Sequence, residues 1–171
     1  IHGEMLIKNG LCYPPHEVKY EQSIVAPAVN YLFQLYELTG KILYLEEGKK
    51  QLAVLVLFNG HQPDFHMYEN AVRHWDGYWF GKYKNLGDTF PHYWSSLSGV
   101  AFREYEKITG ERSYGVKAEN SLRGVLSMIN GDGSASCAYV YPFMVNNVRC
   151  QYADPWANDQ DWALYYYLKE G

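Results

Sequence analysis

"LTGKILYLEEGKKQL" at residues 38–52 and "ITGERSYGVKAENSL" at 108–122 align without a gap at an offset of 70 residues (38 to 108). Leu38 matches Ile108, Thr39 matches Thr109, Gly40 matches Gly110, Tyr44 matches Tyr114, Gly48 matches Ala118 and Leu52 matches Leu122. Each copy sets a Thr-Gly pair between two apolar runs. Glycine ends a helix readily, because it enters the left-handed conformation without a Cβ penalty. A repeat of this size holding two helical patterns predicts stacked αα-hairpins.

The flanks agree. Val25, Val29, Leu32, Leu35, Tyr36 and Leu38 recur at helical spacing from about Ala26, with Pro27 expected in the first turn and Gly40 as the stop. Tyr44, Gly48, Leu52, Leu55 and Phe58 make the returning helix, halted at Asn59-Gly60. In the second unit Trp94, Leu97, Ala101, Tyr105 and Ile108 form one stripe before Gly110. Tyr114, Ala118, Leu122, Val125 and Ile129 form the next, halted at Gly131-Asp132-Gly133. From Ala135 to Tyr152 the residues become Val, Tyr, Phe and Ala around Asn146-Asn147, a two-residue turn pair that predicts a β-hairpin. "NDQDWALYYYLKE" at 158–170 reads as a last helix capped by Asn158 or Asp159. The expected fold is mainly α: stacked αα-hairpins with a β-hairpin insert near 135–152. Five helices are expected, and six if Phe65–His74 is helical.

Composition narrows the function. The chain has 171 residues, enough for one domain with one core, and a net charge of −4 without a basic block. A nucleic-acid partner is therefore not expected. "QLAVLVLFNG" at 51–60 is too short an apolar run to span a bilayer, so no membrane partner is expected either. Cys12, Cys137 and Cys150 have neither disulfide-framework nor zinc spacing. No HExxH occurs, and no metal or cofactor is expected. Aromatic residues make up 17% of the chain, with 17 Tyr, more than core packing uses. Tyr and Trp join an apolar face to a hydrogen-bonding edge, which suits sugar rings and wet interfaces.

That surplus concentrates in the inserts between hairpins, 60–90 and 131–158, at the helix ends opposite the Thr-Gly turns. One rim is expected to carry the chemistry. "RHWDGYWFGKYKNLGDTFPHYW" at 73–94 is too polar for a core. Glycoside chemistry needs two carboxylates across the scissile bond, one kept protonated by apolar surroundings such as Trp75, Trp79 and Phe90. Asp88 and Asp76 are the candidate catalytic acids, and His92 is the third candidate catalytic residue. The structural alternatives are specific: Asp88 or Thr89 could cap a helix with Pro91 in its first turn, and Asp76-Gly77 is an ordinary turn pair. Arg73 and Lys82 could hold a uronate carboxylate or bridge local acids. His74, Trp75, Tyr78, Trp79 and Tyr93 join them as candidate substrate-binding residues. His16 and Glu21 stand ahead of the first hairpin, where the helix dipole favours an acid anyway. Trp156 and Asp159 precede the last helix. The predicted array brings 60–90 and 154–162 into one cleft.

Repeated Thr-Gly hairpins with aromatic, acidic inserts on one rim resemble the six-hairpin glycosidases, the (α/α)6 toroid superfamily. "RHWDGYWFGK", "GDTFPHYWS" and "DPWANDQDWALYY" are similar to an uncharacterised or glucuronidase-like bacterial branch, over nearly the whole chain. The resemblance implies the C-terminal half of a larger toroid, present here as a single domain over 1–171. It implies a bacterial cytoplasmic or periplasmic enzyme of polysaccharide degradation, with an oligosaccharide or polysaccharide as substrate. A homo-oligomer, or the remaining half of the same polypeptide, would complete the ring. The "WARGNGW"-type segment of the unsaturated glucuronyl hydrolases is absent, so the catalytic candidates rest on the residues alone. The first expectation is a glycoside hydrolase acting on uronic-acid-containing oligosaccharides, with Asp88 or Asp76 as proton donor or water activator. A polysaccharide lyase is the near rival: Tyr78, Tyr93 or His92 would be the base, and Arg73 and Lys82 would stabilise the uronate. A non-catalytic glycan-binding or assembly module is the third reading.

Overall fold

Both Thr-Gly pairs end a helix in the same way. In the computed structural model, which describes residues 1–10, 22–56, 88–92, 94–135, 138–141, 144–145, 147–149 and 160–170, helix α2 (Gln22–Thr39) turns into α3 (Ile42–Val56), and α4 (Ser95–Thr109) into α5 (Arg112–Gly124). Gly40 and Gly110 take φ values of 66° and 76°. Their N–H groups donate to the carbonyls of Tyr36 and Glu106, each at 2.7 Å. Thr39 Oγ1 donates to Leu35 O at 2.6 Å and accepts from the Lys41 N–H at 3.3 Å. Thr109 Oγ1 donates to Tyr105 O at 2.7 Å and accepts from the Glu111 N–H at 3.2 Å. The threonine thus satisfies a donor that opens the next helix, and the sequence repeat is a repeat of hydrogen bonds.

The hairpins stack through their first helices. α3 packs on α2 and α5 on α4, while α2 lies against α4, and α4 against α6 (Gln160–Glu170), so α2, α4 and α6 stand in one row. One core crosses both hairpins. It joins Val25, Val29 and Phe33 of α2, Leu52 and Leu55 of α3, Ala101, Phe102 and Tyr105 of α4, and Ala118 of α5. The repeat positions Gly48 and Ala118 are both buried, and at Gly48 a neighbour crowds the site: a Cβ there would lie 2.5 Å from the Phe33 ring. A smaller cluster of Val125, Met128 and Ala163, flanked by Trp94 and Tyr167, fastens α6 to the 3-10 turn Val125–Met128. Among the described residues no helix is long and apolar enough to cross a membrane.

Several expectations are corrected. α2 starts at Gln22, so Pro27 lies inside the helix rather than in its first turn. A further helix, α1 (His2–Asn9), precedes it. Asp88–His92 forms strand β1, and α4 follows Trp94 with no side-chain cap, so neither Asp88 nor Thr89 caps that helix. β1 pairs antiparallel with β2 (Ala138–Tyr141). The expected hairpin about Asn146-Asn147 is present as β3 (Met144–Val145) and β4 (Val148–Arg149), with Met144 opposite Arg149 and Val145 opposite Val148. Asn147 has a φ of 63°, as a two-residue turn of this kind requires. Phe58, Phe65–His74, Asn158 and Asp159 lie outside the described residues.

Candidate functional site

The two long inserts meet in the β1–β2 pair. Asp88 stands opposite Tyr141, Thr89 opposite Val140 and His92 opposite Ala138, with an irregularity between Thr89 and His92. Pro91 lies in that interval and has no N–H for a regular ladder. β1 also touches α4 and the 3-10 turn after α5, which puts the pair at the helix ends remote from the Thr-Gly turn of Gly110. Asp88 and His92 therefore occupy the two ends of one strand. Asp76, Arg73, His74, Trp75, Tyr78, Trp79, Lys82, Tyr93, His16, Glu21, Trp156 and Asp159 all lie outside the described residues.

A second feature was not foreseen from sequence. One side of the α2, α4 and α6 row holds a groove of ≈ 350 Å³, lined by Asn30, Tyr31 and Gln34 of α2, Glu104 of α4, and Tyr165 and Lys169 of α6 among other described residues. Helix periodicity explains why α2 is polar and aromatic here. Val25, Val29, Leu32 and Phe33 take the core side of the helix, which leaves positions 30, 31 and 34 on the other. Asn30 Nδ2 donates a long hydrogen bond to Leu97 O at 3.4 Å. Asn30 Oδ1 is buried and has no partner, the one such side-chain atom among the described residues.

Charged groups beside the groove hold α6 in place. Lys107 Nζ donates to Glu170 Oε2 at 2.6 Å and to Glu104 Oε1 at 3.2 Å, and Lys169 Nζ lies 3.4 Å from Glu170 Oε1. Burial works to raise the Glu170 pKa, but the bonds from Lys107 and Lys169 outweigh it and hold the carboxyl below its ordinary range. Burial likewise works against the Lys107 ammonium, and the hydrogen bonds to Glu170 and Glu104 outweigh it, so its pKa is raised. Arg103 adds bonds to Glu106 at 2.8 Å, Glu119 at 3.2 Å and the Glu170 carbonyl at 3.1 Å.

At the opposite end, Tyr105 packs edge-on against Tyr114 with centroids 4.6 Å apart and donates its hydroxyl to Glu111 Oε1 at 3.1 Å. Burial raises the Tyr114 pKa, and a hydrogen bond with Tyr105 raises that of Lys49. These groups tie α3, α4 and α5 together.

Compared with protein-family models and with curated proteins, the chain has no match. Among solved structures it is similar to a polysaccharide lyase, at 54% sequence identity and a TM-score of 0.76 over 97% of this chain. The chain spans 25% of that protein's length, so what aligns is one part of a longer carbohydrate-active enzyme.

Proposed function

We propose that this chain is part of a carbohydrate-active enzyme that cleaves a uronic-acid-containing polysaccharide, and that the cleavage is an elimination. The single observation that carries the reading is the 54% identity to a polysaccharide lyase across 97% of the chain. In such an elimination a base removes the proton on the carbon beside the uronate carboxylate. The glycosidic C–O bond then breaks with its electron pair leaving on oxygen, and a carbon–carbon double bond remains in the product. Tyr78, Tyr93 and His92 are the candidate bases. Arg73 and Lys82 are the candidates to neutralise the carboxylate, whose negative charge grows as the proton departs. The hairpin row fits one segment of an α/α toroid within a larger catalytic domain, in a bacterial cytoplasm or periplasm.

Hydrolysis is the second reading, and the pairing of β1 with β2 favours keeping it. Asp88 stands opposite Tyr141 in that pair and does not cap α4, and a carboxylate not spent on a helix end supports a proton-transfer role. Product analysis separates the two. Uronate polysaccharides incubated with this chain, and with any longer natural polypeptide that contains it, are expected to yield fragments with an ultraviolet-absorbing unsaturated end. New reducing ends without that absorbance would overturn the lyase reading in favour of hydrolysis.

A further inference from the structure

The unpartnered Asn30 oxygen has a consequence for ligand binding. A buried amide oxygen without a donor is destabilising, and such a group in a folded protein calls for an explanation. Asn30 lines the groove between α2, α4 and α6, and its own amide N–H reaches only Leu97 O at 3.4 Å. The same walls carry Tyr31 and Tyr165, which are 37% and 55% exposed, and the amide of Gln34. Exposed rings beside amides suit a sugar, whose C–H face stacks on a ring while its hydroxyls bond to amides. A volume of ≈ 350 Å³ is at the small end of ligand sites, which are about 300–1,000 Å³.

Charge selects the kind of sugar. Lys169 is already paired with Glu170, and Glu104 with Lys107, so the groove has no cation reserved for a uronate carboxylate among its described residues. Leu97, in the groove wall, belongs to the first turn of α4, close in sequence to β1 and to the rim where the inserts meet. We propose that the groove is a subsite for a neutral sugar unit, which stacks on Tyr31 or Tyr165 and, as the Asn30 amide turns toward the groove, donates a hydroxyl hydrogen bond to Asn30 Oδ1. This rests on the carbohydrate-active reading above, and it adds a neutral unit to the uronate that the rim would cleave.

The test reads binding rather than turnover. Saturation-transfer and chemical-shift NMR on this chain would use the methyl glycosides of glucose, galactose, arabinose and rhamnose, with methyl glucuronide as the charged comparison. At least one neutral glycoside is expected to bind and shift the Tyr31 and Tyr165 ring signals. Tyr31→Ala, Tyr165→Ala and Asn30→Leu are each expected to weaken it about tenfold, the loss of one good contact. Both tyrosines are exposed, so their removal leaves the fold intact, and Asn30→Leu is expected to raise Tm by removing the orphaned oxygen. No binding by any neutral glycoside, or binding unchanged in all three variants, overturns the proposal and makes Asn30 a packing flaw. Binding of a neutral glycoside, together with uronate polysaccharide cut to new reducing ends without ultraviolet absorbance, supports the groove while sinking the lyase reading. Product formation that all three variants leave unchanged does the reverse.

Discussion

Gly110 and Gly48 are both glycines of the repeat, yet they are glycine for different reasons. Gly110 has a φ of 76° with nothing within 4 Å of an added Cβ, so Gly110→Ala is expected to cost about 1–2 kcal/mol through backbone strain alone. Gly110→Asn, which tolerates the left-handed conformation better, should cost less. Gly48→Ala meets the Phe33 ring at 2.5 Å and should cost about 1–3 kcal/mol by overpacking, although alanine stands at the matching position 118. Urea melts of the three variants check this. Equal losses for alanine and asparagine at 110 would exclude the conformational explanation. The Thr-Gly turns were legible because a terminator and its hydrogen bonds lie within a few residues. Asn30 was not, since an orphaned oxygen is defined by what three separate helices fail to offer it. Asp88 gains a sharper test from being in a strand. Asp88→Asn removes no helix cap, so its circular-dichroism melt should match that of the wild type. Under the hydrolytic reading turnover should be abolished, and wild-type turnover would move the acid to Asp76 or outside this chain.

At the scale of elements, α6 is held by charge as well as by packing. The Glu170 carboxyl is held below its ordinary value, so its contribution to stability is fully present above the unfolded carboxylate pKa and is lost as pH falls through the folded one. Lys107, raised above its ordinary value, contributes below the unfolded lysine pKa and loses that contribution as pH climbs through the folded one. Glu170→Gln is therefore expected to cost about 1 kcal/mol at neutral pH, a modest figure because Lys107 is half in solvent. The gap to wild type should close in acid, where both proteins carry a neutral group. Melts from pH 7 down to about pH 3, below the ordinary carboxylate range, measure it; a gap that persists there would show that the loss is one of shape. The same scale explains the misread segment before α4. Asp88, Thr89 and Pro91 have the chemistry of a helix entrance, whereas the partner strand is supplied by Ala138–Tyr141, far along the chain. The Asn146-Asn147 hairpin was legible because its two strands are adjacent and its turn residues say so.

For the whole molecule, the decisive fact is that Phe33, Leu52, Phe102, Tyr105 and Ala118 belong to one core that crosses both hairpins, while Val125, Met128 and Ala163 form a separate, smaller one under α6. Periodicity revealed the stripes, but which stripe faces which is set by packing at long range, so the row of α2, α4 and α6 could not be read from any single segment. A shared core makes the two hairpins one cooperative unit, because neither can open without exposing the apolar face of the other. α6 stands apart, fastened by a few side chains and by the Glu170 network. Phe102→Ala should therefore cost about 3–5 kcal/mol and lower hydrogen-exchange protection across α2, α3, α4 and α5 together. Met128→Ala should cost about 2–5 kcal/mol locally and be felt first in α6, leaving the hairpin amides protected at their former level until α6 has detached. Native-state exchange with residue-level readout distinguishes the outcomes. If Phe102→Ala loosens only α4 and α5 while α2 and α3 keep full protection, the hairpins are independent repeats and the single-core account fails. If Met128→Ala lowers every helix equally, α6 is instead part of the same unit, and the groove it shares with α2 and α4 is as rigid as the core beneath it.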